Sequence, residues 1–120
     1  MRGRDSEQED FLLRIIRQAG DALRLLRERL LNGAHAPEVI RQQAVFAIEG
    51  LLGAQAGILG RVDAASAVRL VGDSTRVGLW AALLDVEGDA LEAAGNAEQA
   101  SLRRARANAL RAASTDVWGE

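Results

Sequence analysis

Between Glu7 and Leu31, the residues Leu12, Ile16, Ala19, Leu23, Leu26 and Leu30 recur at steps of four and three. That spacing aligns them in one stripe of a helix. Phe11, Ile15 and Ala22 widen the stripe, while Arg14, Arg17, Asp21 and Glu28 lie opposite it and are expected to face water. Leu13, Leu25 and Leu31 fall off the stripe and call for a second contact. The same steps would also suit a coiled coil, but the other helices of the chain offer cover within the domain. Asn32-Gly33 ends this helix, since either residue accepts the left-handed conformation found just past a helix end. Pro37 then fits a first helical position, where its missing N–H is not needed. A second helix is predicted from Pro37 to Leu52, burying Ile40, Ala44, Ala47, Ile48 and Leu51 and stopped by Gly53.

The pattern weakens over 54–72, which is expected to be a connector. Ile58 and Leu59 are predicted to tuck inward, and Asp63 to cap a short helix containing Val68, Leu70 and Val71. Asp73 or Ser74 caps the next long helix, expected to reach about Ala94. Leu79, Leu83, Val86 and Ala90 form one apolar side of it. Trp80, Leu84, Gly88 and Leu91 form a second, about 100° away. Asp85, Asp89 and Glu92 make the only clear polar stripe, so this helix is expected to be central, with neighbours on two sides. Gly88 costs about 1 kcal/mol against alanine inside a helix, and the expected return is close approach of the following helix. Gly95-Asn96 makes the turn, and Asn96 with Gln99 matches a capping box. The last helix, predicted over Ala97–Ala113, presents Ala100 and Ala107 toward its predecessor. Leu102, Ala105, Ala109 and Ala113 form a different strip, nearly opposite.

These elements make an all-α chain of 120 residues and one domain: a flexible N-terminus (1–6), a first hairpin (7–53), a connector (54–72), a second hairpin (73–113) and a tail (114–120). The apolar content of 48% argues against disorder. No apolar run approaches the roughly 20 residues that span a bilayer, and the charged start MRGRDSEQED lacks a signal-peptide hydrophobic region, so the expected location is the cytoplasm.

Leu84, Gly88, Leu91, Gly95, Ala100 and Ala107 also fall where the tetratricopeptide repeat places its large, small, large, turn, small and small residues. The second hairpin therefore resembles that repeat. Arg104 stands where the repeat favours an aromatic, and no proline follows at Ala112. The segment Ala44-Val45-Phe46-Ala47-Ile48 with Leu51-Leu52-Gly53 resembles the second helix of such a unit. The resemblance implies a small bundle of two antiparallel hairpins joined by a short connector helix, a device for binding proteins. The chain is also similar to a bacterial family of small all-helical proteins with a DFLLR-like start, which lends no activity.

Composition narrows the chemistry. There is no cysteine, which excludes thiolate catalysis and cysteine metal sites, and His35 is the single histidine, in the loop GAHAP. No metal motif can be assembled around it, and a carboxylate-only site from Asp85, Asp89 and Glu92 competes with a plain wet helix face. Ser66, Ser74, Ser101 and Ser114 have no histidine near in sequence, and no phosphate-cradling glycine loop exists. The expectation is a non-enzymatic protein without cofactor. All fifteen basic residues are arginine, which matches an Ala/Gly-rich, GC-rich coding bias, and the net charge of −2 argues against nucleic acid as partner.

Three functional readings stay open. The first is a protein interaction or scaffold domain, a homo-oligomer or a subunit of a larger assembly, using Leu13, Leu25 and Leu31, or Leu102, Ala105 and Ala109, with Trp118 as an anchor or an apolar plug. The second is an arginine-mediated polyanion binder using Arg103, Arg104, Arg106 and Arg111. The third is a small-ligand cleft between the hairpins, resting on the glycines and Trp80 alone.

Overall fold

A computed structural model describes the backbone of residues 2–119 and the side chains of residues 7–119; Met1 and Glu120, at the outer ends of the expected flexible segment and tail, lie outside the described residues. All regular structure among them is helical: α1 (Arg2–Asn32), α2 (Pro37–Leu52), α3 (Ala56–Leu59), α4 (Ala64–Val71), α5 (Ser74–Ala93) and α6 (Ala97–Trp118), with a 3₁₀ turn at Gly53–Gln55.

Each boundary has a local cause. Pro37 opens α2. The carboxylate of Asp73 accepts the Arg76 N–H at the start of α5, and the Asn96 side chain accepts the Gln99 N–H at the start of α6. Between those two helices the Asn96 N–H reaches back to the Leu91 carbonyl and the Gly95 N–H to that of Glu92, the paired bonds of a Schellman ending. Gly95 takes the φ of +86° that this ending requires. Asp63 caps α4 by accepting from both the backbone N–H and the hydroxyl of Ser66. The Ser66 hydroxyl first, then its N–H, hold the Asp63 carboxyl below its usual range. A depressed folded-state pKa means that the cap's contribution is complete above the unfolded value of about 3.9 and is lost as pH falls through the lower folded value. An NMR titration is expected to give Asp63 a lower midpoint than the same residue in an unstructured VDAAS peptide; equal midpoints would argue that the cap does not form.

Two helices run further than the sequence pattern predicts. α1 starts at Arg2 rather than Glu7, so the segment expected to be flexible continues the helix. α6 runs past Ala113 through Trp118, because no breaker intervenes before Gly119, which ends the helix with φ +76°. The Thr115 hydroxyl follows the helix by donating to the Arg111 carbonyl.

α5 is the hub, packed against α1, α2, α4 and α6. Leu83, Val86 and Ala90 on one side and Trp80, Leu84, Gly88 and Leu91 on the other are all buried. The pairs Asp85–Arg111, Asp89–Arg104 and Glu92–Arg104 show that rising numbers on α5 meet falling numbers on α6, so the two run antiparallel. Arg76 ties α5 to the end of α2 by donating to the Leu51 carbonyl at 2.7 Å, one of the acceptors a helix C-terminus leaves unsatisfied.

At about 1.5 Å per residue, α1 is roughly 46 Å long and α2 only about 24 Å. The molecule is correspondingly elongated, 51 × 27 × 25 Å. The α1 stripe is buried at Ala19, Leu23 and Leu26 and only half-buried at Leu12, Ile16 and Leu30. Phe11, expected to widen the covered face, is exposed because α2 ends short of it. Ile58 is likewise exposed while Leu59 is buried: successive residues of a one-turn helix point about 100° apart, and only one can face the core. In α4 the same geometry buries Ala67, Val68 and Val71 and turns Leu70 outward.

Candidate interaction site

The seven residues expected to meet a partner fall on separate faces. Leu13, Leu25 and Leu31 are exposed on α1, with Leu31 at 89% the most open large apolar side chain among the described residues. Leu102, Ala105 and Ala109 are exposed on α6, but Ala113, which the pattern places in the same strip, is buried. So is Leu110, which the pattern does not single out. Trp118 is half-buried and packs against the edge of the core, nearer to the plug than to the anchor. Of the seven, Leu25 lines the groove between α1 and α2.

That groove, about 630 Å³, lies between α1 and α2. Ala19, Leu26, Ala47 and Leu51 belong to its lining, with Leu25 on the α1 side and Phe46 on the α2 side. Phe46 is 76% exposed, which is unusual for phenylalanine. Sequence reasoning named it only within the repeat-like segment and gave it no role; the available signal was an aromatic lying off the Ile40, Ala44, Ala47, Leu51 stripe. Gly50 keeps the groove open beside it, with no heavy atom within 4 Å of where a Cβ would stand. Around α1 the groove-facing residues Ile15, Gln18, Ala22, Leu25 and Arg29 follow Phe11 at alternating steps of four and three, the period of a helix seam.

The four clustered arginines are brought together on α6 but turned to different tasks. Arg103 Nε donates to Glu87 at 2.8 Å. Glu87, which the pattern did not mark, is the one charged residue buried among the described residues, and its carboxylate sits between α2 and α6. Arg104 bridges Asp89 and Glu92, whose bonds, in that order, raise its pKa above the ordinary arginine value. Arg111 reaches Asp85 and Asn108. Arg106 donates one Nη group to the carbonyls of Leu59 and Val62, both at 2.8 Å, and stacks over Trp80 with 5.6 Å to the ring centroid. Burial lowers the Arg106 pKa, with the charge of Asp63 opposing the shift.

Asp85, Asp89 and Glu92, the conceivable carboxylate site, are thus each spoken for by an arginine. Among the described residues no three His, Cys, Asp or Glu side chains are grouped to hold a metal ion. His35 lies exposed in its loop. No described helix is long and apolar enough to cross a membrane. No family model, curated protein or solved structure matches this chain.

Proposed function

We propose that this chain is a non-enzymatic interaction module of two tetratricopeptide-like antiparallel helix pairs, α1–α2 and α5–α6, joined by the α3–α4 connector, and that it associates with a second copy through the α1–α2 groove. The observation that carries this reading is the exposed Phe46 beside an open apolar groove of about 630 Å³. In a two-fold pair the same patch serves both copies, so each Phe46 fills the groove of the other. The seam from Phe11 to Arg29 extends that contact along α1, and Arg14, Asp21 and Glu28 on its flank supply both signs of charge for an antiparallel arrangement. The close packing of α5 on α6 supports the repeat-like pairing: a Cβ on Gly88 would stand 3.3 Å from the Ala100 carbonyl. Polyanion docking gains no support from Arg103, Arg104, Arg106 and Arg111, each of which already bonds across the fold or along its own helix.

Light scattering after size exclusion is expected to give twice the 12.8 kDa chain mass. Phe46→Glu and Leu25→Glu are each expected to return the single-chain mass with helicity retained. A concentration-independent monomer would end the proposal. A dimer broken by Leu102→Glu but not by Phe46→Glu would move the interface to α6.

A further inference from the structure

A second cleft of about 630 Å³ opens on another flank of α2, bounded by α3, α5 and α6. It has an apolar wall of Val45, Ile48, Leu52 and Leu84, and Arg106 lies at its Trp80 end. Arg106 differs from the other arginines that bear on this region. Arg41 pairs with Glu38, Arg103 with Glu87, Arg104 with Asp89 and Glu92, and Arg111 with Asp85. Arg106 has no carboxylate within ion-pair distance among the described residues. Its two bonds run from one Nη to neutral carbonyls, leaving Nε and the other Nη without an acceptor in the fold. A guanidinium keeps its charge at any physiological pH, and a partly desolvated charge without a counter-ion is costly. With that Nη spent on the two carbonyls, which together with the Trp80 ring fix the guanidinium plane, the other Nη is left to donate to a ligand.

We propose that this cleft binds a small monocarboxylate with an apolar body, its carboxylate on Arg106 and its body against Ile48, Leu52 and Leu84. Asp63 acts on Arg106 through its charge but forms no ion pair with it, so one cation without a contacting carboxylate meets one negative charge, which favours a monoanion over a phosphate dianion. Glu87 does not repel it, being neutralised by Arg103, and Glu49 is exposed to water. The volume lies within the range of small-ligand sites. Gly57 lines the cleft, and nothing stands within 4 Å of a Cβ added there. The site does not depend on dimerisation, since Phe46 belongs to the other groove.

The test uses the full chain carrying Trp118→Phe, so that Trp80 is the sole fluorophore, titrated with benzoate, benzyl alcohol and inorganic phosphate. Benzoate is expected to give a saturable change, with both other probes at least about tenfold weaker. Arg106→Met, checked for helicity, is expected to weaken benzoate at least about tenfold. Gly57→Phe puts a ring into the cleft while keeping the Arg106 side chain, and is expected to do the same, which keeps the test decisive if Arg106→Met fails to fold. Phe46→Glu should leave benzoate binding unchanged. No saturable response to benzoate, an equal response to benzyl alcohol, a stronger response to phosphate, or unaltered binding in Gly57→Phe would each overturn the proposal.

Discussion

Gly88→Leu is expected to lower the unfolding free energy by about 3 kcal/mol, at the upper end of what overpacking a core costs. A Cβ at this position meets Arg104 Cγ at 3.2 Å and the Ala100 carbonyl oxygen at 3.3 Å. The arginine stem can swing aside, but the carbonyl belongs to the α6 backbone and moves only if the whole helix moves. Alanine therefore trades a displacement of a few tenths of an ångström against roughly 1 kcal/mol of helix propensity, and should come out near neutral. Leucine has no such balance. Gly78 sits in the same helix with nothing within 4 Å of its would-be Cβ, so Gly78→Ala should raise stability by about 1 kcal/mol. Urea unfolding followed by circular dichroism reads all three. A Gly88→Leu protein as stable as the wild type would mean that α5 and α6 do not lie in close contact.

The ion pair of Glu87 with Arg103 should respond asymmetrically. The Glu87 side chain is 5% exposed and that of Arg103 37%. Arg103→Met strands a buried carboxylate and is expected to cost about 2 kcal/mol, less than the roughly 3–5 kcal/mol of a fully buried pair because water reaches the arginine. Glu87→Met removes the buried charge instead, fills the space with an apolar side chain of similar length and frees Arg103 to turn toward solvent. Its expected cost is under about 1 kcal/mol. Equal losses in the two variants, measured by the same unfolding experiment, would show that the pair does not behave as a buried anion with a wet partner.

How much of this was legible in the sequence follows from which forces are local. The bounds of α2, the Asp63 and Asn96 caps and the Gly88 contact could be read directly, and the α5 cap narrowed to Asp73 or Ser74, because each depends on residues within one or two turns or on a side chain that is missing. The exposure of Phe11 could not: it depends on α2 being shorter than α1, and periodicity carries no information about how far a neighbour reaches. Glu87 was invisible for a related reason, since a glutamate beside Gly88 on an amphipathic pattern reads as surface until α2 and α6 close over it. Phe46 was given no role because its apolar neighbours explained the segment without it. The four arginines formed one cluster on paper; the fold separates them by the carboxylates of α5, three tasks being ion pairs and one a link to the connector.

The contact of α1 with α5 skips over the three helices between them in the chain. Because α1 and α2 both rest on α5, the two hairpins share a single core, and detaching either one exposes apolar surface on the other.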